Sequence, residues 1–400
     1  MRTMQPSVTI GSYTWAQDRL PADEFELRLG ELRAAMEQKS WPAVLVYGDV
    51  RDHAALAYLS NFIPRVRWGM ALLPRSGDPR LICAMSTRDL PAMRGLTWIA
   101  DVRSGMRPEW QKAFDPWCEQ LNADRPGELG TLGFDLMAPV LHEAVRRSLG
   151  EHFTLRPADD MLAVPPERKR PRELAMLRSS CKLVETTTRT FVESWRRTGA
   201  AETAALNAER LARSLAAQDV RTLVSLDGGR TLNPYAGRFE KTAGPLVGYL
   251  AIKLAGYWAD LFVTAAENPS EATQRTESAL NTLIAAVKPG ARASDLFAIA
   301  AQALAPYTLH RMLSGSVGHG IGLALDEPPD LRADSQAALV EDGVYTLQLG
   351  IADAEAGNAL MSAIVRNRPN GAEVLLRSPP IVIPGPSDAR SPESITPALS

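Results

Sequence analysis

Residues 318–327 read GHGIGLALDE and are followed by two prolines. His319 lies between glycines, which have no Cβ and let neighbouring chain segments approach closely. An imidazole can ligate a metal ion or exchange a proton near neutral pH. The stretch therefore predicts a site around His319, as a metal ligand, as an acid/base group or as a histidine kept only for folding.

Strand and helix patterns surround this stretch. Residues 246–266 have apolar strand character on both sides of a short Ala-Gly turn, which is typical of a strand pair. Further strands are predicted over 222–229, 343–352 and 359–367. The intervening segments carry apolar residues at helical spacing. This mixture predicts an α+β domain rather than a doubly wound sheet.

The N-terminal part of the chain has another pattern. Apolar residues within 25–36 recur at the spacing of one helix face, and short apolar runs at 43–48, 69–85 and 129–135 are typical of strands. Alternating helices and strands predict a small α/β domain. The predicted division is an N-terminal arm (1–22), an α/β domain (23–164), an α+β domain (165–377) and a Pro/Ser-rich tail (378–400).

The predicted domain boundary lies near residues 165–171, where prolines interrupt the pattern. The basic cluster ERKRPR at 167–172 is interpreted as a solvated linker. A long helix is predicted directly after it, and its buried face has spacings of three and four residues. That face comprises Leu174, Leu177, Cys181, Val184, Thr188, Phe191 and Trp195. Cys181 is therefore predicted to be a small core residue and not a nucleophile.

The overall composition limits the classes of function. The chain has 400 residues and a formal net charge of -2, which gives no electrostatic reason to expect nucleic acid or an anionic membrane as partner. Its three cysteines have neither zinc nor disulfide spacing, which favours a reducing cytoplasm. There is no run of about 18 apolar residues and no apolar leader segment, so we expect neither a transmembrane helix nor a signal peptide.

Two motifs carry a resemblance to a known family. GYWADLFVTA at 256–265 and GSVGHGIGLALDEPP at 315–329 resemble, in that order, the pita-bread hydrolases: methionine aminopeptidase, aminopeptidase P, prolidase and creatinase. The resemblance extends over nearly the whole chain and implies a creatinase-like N-terminal domain before a pita-bread domain. It also implies a homodimer.

The metal-dependent members of this family hold two divalent ions with two Asp, one His and two Glu. The resemblance matches the second Asp to Asp260 and the His to His319. The first Asp is replaced by Tyr249 and the first Glu by Gln348. The second Glu falls in ALMSAIVRN, where Met361 and Ser362 stand and no carboxylate does.

Two of the five ligands are therefore kept. Neutral Gln and phenolic Tyr do not offset the charge of two divalent ions, so a two-metal site is not expected. A single ion held by Asp260, His319 and Asp326 stays open as an alternative. Asp326 stands where the family has a second His that usually contacts substrate, and Glu327 follows it.

The chain is thus closest in kind to metal-independent, creatinase-like members, and no cofactor is expected. The predicted catalytic residues are His319, Asp260, Asp326, Glu327 and Tyr235. His319 would act as general base for attack by water on a carbonyl or amidine carbon, oriented by Asp260. A tyrosine would donate to the developing oxyanion. The alternative for each residue is a purely structural role in the core or in a loop.

The predicted substrate-binding residues are Tyr249, Gln348, Phe62, Arg65 and Arg67. The last three lie in YLSNFIPRVRWG at 58–69, predicted as a loop after a helix. In creatinase-like dimers this region of one subunit reaches the pocket of the other. An arginine there would hold a substrate carboxylate, and the alternative is a solvated surface loop.

Three functions follow from the resemblance. The first is metal-independent hydrolysis of a C–N bond in a small amide or amidine compound, creatine-like or ectoine-like in class. The second is a non-catalytic binding module, and the third is an atypical metallopeptidase acting near proline.

Overall fold

The computed structural model describes residues 15–106, 109–122, 127–159, 167–237, 241–242, 244–378 and 381–382. The predicted arm and tail therefore lie largely outside the described residues. Within these ranges no helix has both the length and the apolar character needed to cross a membrane.

The N-terminal domain alternates helices with strands, as predicted. Its helices are α1 (Ala22–Lys39), α2 (Ala54–Ser60), α3 (Leu90–Arg94), α4 (Glu109–Asn122) and α5 (Pro139–Leu149). Its strands are β1 (Ala43–Asp49), β2 (Trp68–Pro74), β3 (Arg80–Cys83), β4 (Asp101–Ser104), β5 (Gly127–Leu132) and β6 (Phe153–Pro157).

These six strands form one sheet in the order β4-β3-β2-β1-β5-β6. Strand β1 lies inside the sheet, antiparallel to β2 and parallel to β5, and all seven of its residues are buried. A strand covered on both faces reads as a continuous apolar run, which explains why AVLVYG shows no alternation.

The C-terminal domain begins with two helices, α6 (Pro171–Thr198) and α7 (Ala201–Ser214). Its other helices are α8 (Glu271–Ala286) and α9 (Ala293–Leu304). Its strands are β7 (Asp219–Val224), β8 (Leu246–Leu254), β9 (Tyr257–Ala266), β10 (Ser316–Gly320), β11 (Glu327–Arg332), β12 (Val344–Asp353), β13 (Gly357–Arg366), β14 (Glu373–Arg377) and β15 (Ile381–Val382).

These strands form two sheets, with the orders β11-β10-β12-β13-β14 and β15-β9-β8-β7. The sheets meet where β9 crosses β13: the Phe262 amide donates to the Ser362 hydroxyl at 2.8 Å, and the Thr264 hydroxyl donates to the Leu360 carbonyl at 2.9 Å. Helices α6 and α7 cover the second sheet, and α8 and α9 cover the first. This is the predicted α+β arrangement.

The long helix α6 follows its sequence signals. Pro171 occupies the first turn, the Glu173 carboxylate accepts from the Arg170 amide, and Gly199 ends the helix in the left-handed conformation at φ 70°. Of the predicted face, the residues from Leu174 to Phe191 are buried and Trp195 is half-buried. The prediction that Cys181 is a core residue is confirmed, because its side chain is 2% exposed.

The basic cluster before α6 is not a solvated linker, contrary to the sequence interpretation. Lys169 is buried, and its Nζ donates to Glu327 Oε2 at 2.6 Å. Arg170 binds Glu24 and Glu31 on α1. Arg170 therefore joins the two domains through ion pairs, and Lys169 is held by Glu327 inside the C-terminal domain, so neither is a freely solvated charge.

One hydrophobic core continues across the predicted boundary. It contains Phe25 and Leu56 of the N-terminal domain together with Leu177, Ile252 and Tyr257 of the C-terminal domain. The two domains therefore share buried apolar surface, and the exact boundaries at 164 and 165 stay a prediction.

Candidate active site

The hairpin of β8 and β9 places the first set of site residues on one face. Directly opposite residues of an antiparallel pair lie on the same face, and the register pairs Tyr249 with Phe262 and Lys253 with Trp258. Between these two pairs, Asp260 lies opposite Ala251. This face of the hairpin is therefore polar at intervals along its whole length.

Asp260 is the centre of a hydrogen-bonded cluster. Its Oδ2 accepts from the Tyr249 hydroxyl at 3.1 Å and from Gln348 Nε2 at 2.9 Å. Asp260 is 0% exposed, and its Oδ1 has no hydrogen-bond partner among the described residues. The cluster thus joins β8, β9 and β12 at the meeting point of the two sheets.

Burial dominates the ionisation of this cluster. It raises the pKa of the Asp260 carboxyl, and the His319 charge, the nearby Thr346 hydroxyl and the hydrogen bonds from Tyr249 and Gln348 act in the opposite direction. Burial and the neighbouring Asp260 charge raise the pKa of Tyr249 well above its usual range. Tyr249 is therefore a neutral phenol that can donate a hydrogen bond at physiological pH.

His319 lies on β10, and the flanking glycines are needed where they stand. Gly318 has φ +147°, and a Cβ there would overlap the Thr346 carbonyl of β12. A Cβ on Gly320 would overlap the Pro328 carbonyl of β11. The motif GHG therefore exists because β10 is closely flanked by two other strands.

The His319 ring has one nitrogen engaged by the backbone. Its Nδ1 lies 2.8 Å from the Gly320 carbonyl oxygen, so in the neutral ring Nδ1 carries the hydrogen. Asp326 Oδ1 is 3.7 Å from the same nitrogen, and the Asp326 side chain is 80% exposed. Nε2 is thus the nitrogen left for exchanging a proton with a substrate or water.

A cavity of about 490 Å³ adjoins this site between the two domains. Lys253, Trp258 and Asp326 contribute to its C-terminal wall, and His53 and Arg65 contribute to its N-terminal wall. Its volume falls in the range of small-molecule sites. Asp326 faces this cavity and also contacts His319, so it connects the cavity with the histidine.

The structure brings several predicted site residues together. Asp260, Tyr249 and Gln348 share hydrogen bonds, His319 interacts with Asp260 electrostatically, and Asp326 lies beside His319.

Arg65, the sixth of these residues, is half-buried in the cavity wall, in the loop where the sequence placed it.

Four other predicted residues lie elsewhere. Glu327 is 5% exposed, and both of its carboxylate oxygens are occupied, by Lys169 Nζ and by the Ala324 amide. The predicted catalytic role of Glu327 is therefore corrected to a structural ion pair. The error arose because the sequence did not reveal that Lys169, 158 positions away, is buried against it.

Tyr235 also lies apart from the Asp260 cluster. Its hydroxyl donates to Glu209 on α7 at 3.2 Å, and its ring packs in the apolar cluster under that helix. Phe62 is 4% exposed within the main core, and Arg67 is exposed with Nη1 3.0 Å from Met106 Sδ. These three side chains do not line the cavity that contains Arg65. Their predicted site roles, including the reach of the loop into the pocket of a second subunit, stay predictions.

The residues at the family's metal-ligand positions do not fit a pair of metal ions. Tyr249 and Gln348 direct hydrogen-bond donors at Asp260 Oδ2, where a metal site would need anionic acceptors. Ser362, opposite Gln348 on β13, accepts from the Phe262 amide. The described residues contain no group of three His, Cys, Asp or Glu side chains able to hold a metal ion.

Sequence reasoning missed the most perturbed groups of the cavity. Lys253, His53 and Trp258 were assigned no role, and Arg221 on β7 was not considered. Lys253 Nζ lies 2.9 Å from His53 Nε2 although 200 positions separate the two residues. A lysine within the strand pattern LAIKLAG was the one available signal, because a charged residue interrupts an otherwise apolar strand.

Comparisons with known proteins agree with this architecture. Residues 235–368, within the C-terminal domain, match the family model described as metallopeptidase family M24. The resemblance to the creatinase, prolidase and aminopeptidase P group and the pita-bread fold are therefore confirmed. No curated protein matches the chain.

Solved structures extend the likeness to almost the whole chain. The prolidase from Pyrococcus horikoshii OT3 is 18% identical, with a TM-score of 0.73 over 89% of this chain and 99% of that one. The X-Pro aminopeptidase from Thermotoga maritima MSB8 is 18% identical, with a TM-score of 0.71 over 88% and 99%. The N-terminal domain of FACT complex subunit SPT16 from Cicer arietinum (chickpea) is 16% identical, with a TM-score of 0.63 over 88% and 96%.

Proposed function

We propose that the protein is a hydrolase that cleaves a C–N bond in a small amide or amidine compound without a metal ion. The observation that carries this proposal is the replacement pattern at the site. Donors from Tyr249 and Gln348 surround Asp260, and His319 is kept with Nε2 free for proton transfer. A hydrolase is in keeping with the family domain and with the peptidases among the structural neighbours.

The proposed reaction uses His319 as a general base. Its Nε2 takes a proton from water while the water oxygen attacks the carbonyl or amidine carbon. The same nitrogen then returns the proton to the departing nitrogen as the C–N bond breaks. Tyr249 is the tyrosine of the Asp260 cluster, and its neutral hydroxyl, which donates to Asp260 in this structure, would turn to donate to the developing oxyanion.

Arg65 gives the proposal its substrate preference. Its guanidinium is half-buried in the cavity wall, where a carboxylate of the substrate would form a charge-assisted pair. The substrate would therefore be a small zwitterion or amino-acid derivative, creatine-like or ectoine-like in class. The predicted homodimer and cytoplasmic location stay predictions.

A second candidate is a binding module without catalysis. His319 Nδ1 bonds the Gly320 carbonyl and not a carboxylate, and Asp326 Oδ1 is 3.7 Å from it, beyond hydrogen-bond distance. A pocket with this arrangement would still bind a small ligand. The third candidate is a metallopeptidase acting near proline. The hydrogen-bond donors that Tyr249 and Gln348 direct at Asp260 argue against it, because a metal site would need anionic acceptors there.

Product analysis with creatine, ectoine and the dipeptide Ala-Pro tests these candidates. We expect one of the two small zwitterions to be hydrolysed, with urea released from creatine or the ring of ectoine opened, unaffected by a chelator, and a loss of about a hundredfold or more in kcat for His319→Ala. The control variant is His152→Ala, because His152 is exposed on the N-terminal domain.

Three outcomes would contradict the proposal. Full activity in His319→Ala would remove the general base. Activity that a chelator abolishes and Mn²⁺ restores would favour the metallopeptidase. A ligand that raises the Tm without any turnover would favour the binding module.

A further inference from the structure

Lys253 has an unusual position for a lysine. It stands near the end of β8, is 3% exposed, and lies in the wall of the cavity between the domains. Its Nζ is 2.9 Å from His53 Nε2. His53 Nδ1 lies 3.1 Å from the Asp49 carbonyl oxygen and therefore carries the ring hydrogen, so Nε2 is the acceptor of a hydrogen from Lys253.

No carboxylate neutralises this lysine at close range. Among the described residues none lies within 4.0 Å of Nζ, which is the limit for an ion pair. The acidic group that acts on it, Asp219, is itself paired with Arg213 and Arg221, at 3.9 and 3.8 Å. The Trp258 ring covers the ammonium position, with its centroid 5.4 Å from Nζ.

The charges around Lys253 favour its neutral form. Burial lowers its pKa most, Asp219 raises it, and Arg65 and Arg221 lower it, with a result of about 7. Burial and the positive charge of Lys253 lower the pKa of His53 to about 3, so the imidazole is neutral. The cavity therefore contains an amine that is substantially unprotonated near pH 7, beside a neutral proton acceptor.

We propose that Lys253 is a nucleophilic amine that condenses with the carbonyl carbon of a small 2-oxo acid in the cavity between the two domains. The carboxylate of the acid would lie against Arg65, whose guanidinium has no hydrogen-bond or ion-pair partner among the described residues. Arg221, stacked on Trp258 at 4.6 Å, supplies a second positive charge at the same wall.

The chemistry balances with groups that are present. The Nζ lone pair forms the C–N bond as the C=O π bond breaks, and His53 Nε2 carries a proton from nitrogen to oxygen. The resulting carbinolamine loses water and leaves an imine at Lys253. Nothing is oxidised or reduced, and one water is released for each imine formed.

Reductive trapping tests this proposal on the whole, unmodified protein. The protein is incubated at pH 7 with pyruvate and cyanoborohydride, which reduces an imine to a stable secondary amine, and the modified lysines are located by peptide mass spectrometry. We expect Lys253 to react at least about tenfold faster than exposed Lys288, because an ordinary lysine with a pKa of about 10.4 is almost entirely protonated at pH 7. Buried Lys169 should not react.

Two further experiments test whether the fast modification of Lys253 depends on the cavity. Replacing pyruvate by acetone should reduce the preference for Lys253, because acetone has no carboxylate for Arg65. Lys253→Arg should abolish the fast modification while a circular-dichroism melt shows that the variant is folded.

The proposal is overturned if Lys253 in the wild-type protein reacts no faster than Lys288, a result that needs no variant to fold. It is also overturned if acetone is trapped at Lys253 as fast as pyruvate. Neither readout depends on hydrolysis, so failure here leaves the proposed hydrolase untouched, and failure of the hydrolase assay leaves this proposal testable.

Discussion

Lys169 and Lys253 are both buried lysines, 4% and 3% exposed, yet their surroundings differ completely. Lys169 Nζ donates to Glu327 at 2.6 Å, and Glu327 and Glu173 raise its pKa above the usual range although burial acts against them. Lys253 faces a neutral histidine and two arginines, and its pKa falls to about 7. Burial alone therefore does not decide the pKa of a lysine. Neighbouring charges can outweigh the effect of burial, as at Lys169, or add to it, as at Lys253.

The two lysines stand on opposite sides of one short segment. Asp326 and Glu327 are consecutive, but Asp326 is 80% exposed in the cavity and Glu327 is bonded to Lys169 in the interior. The acidic pair in GHGIGLALDE therefore has two separate roles. One carboxylate holds Lys169 inside the C-terminal domain, and the other faces the cavity whose wall contains Lys253.

The largest expected effect is on Lys169. Lys169→Met should lower the free energy of unfolding by roughly 3–5 kcal/mol, because Glu327 is left buried without its partner. The measurement is urea denaturation followed by far-UV circular dichroism. Lys253→Met is the matched variant, since it removes a lysine of equal burial that has no carboxylate partner within ion-pair distance in the described part of the chain.

A second variant checks the cause of that loss. Lys169→Met combined with Glu327→Gln should recover part of the lost free energy, since the unpaired charge is gone. Equal losses for Lys169→Met and Lys253→Met would show that the two environments do not differ as described.

An intermediate effect is expected in the pH dependence of Lys253→Met. In the unfolded chain this lysine has a pKa of about 10.4, so between about pH 7 and pH 10 the unfolded state binds more protons than the folded state. The contribution of Lys253 to stability therefore rises with pH through this window. Lys253→Met should be more stable than wild type by roughly 4 kcal/mol at pH 7, and this advantage should shrink toward pH 10.

Urea denaturation at pH 7, 8.5 and 10 measures this difference. Lys169 should show no such slope below its unfolded pKa, because its folded pKa is raised and its ion pair is fully formed there. A constant difference between wild type and Lys253→Met across the three pH values would mean that Lys253 is protonated throughout.

The smallest effects are expected from the charges around Lys253. Arg65→Gln removes a charge that lowers the pKa of Lys253, so the pH midpoint of its reductive modification should rise by a fraction of a unit, roughly 0.5. Asp219→Asn removes a charge that raises the same pKa and should move the midpoint downward. Shifts in the same direction would show that electrostatics does not set the reactivity.

Much of the fold was predictable because its signals are local. The buried face of α6, the strand pair at 246–266 and the glycines around His319 each follow from a short pattern. The replacement of family carboxylates by Tyr249 and Gln348 could also be predicted, because matching the sequence to the family's motif is enough to find it. The structure adds that both side chains bond the same Asp260 oxygen.

The errors came from contacts between distant segments. Glu327 was taken as catalytic and ERKRPR as a solvated linker, and a single ion pair across 158 positions corrects both. His53 carries no motif in the sequence, and nothing in its neighbourhood indicates a lysine 200 positions away. Local patterns predict elements well, but they do not contain the charge pairing that decides which polar residues are functional.

The pairing of His53 with Lys253 has a consequence for experiment. The histidine belongs to the N-terminal domain and the lysine to a hairpin of the C-terminal domain. Residues of both domains therefore form the environment of the Lys253 amine. The rate at which Lys253 is chemically modified therefore reports whether the interface between the two domains is closed. A solution condition that exposes this interface to water would raise the pKa of Lys253 toward its ordinary value.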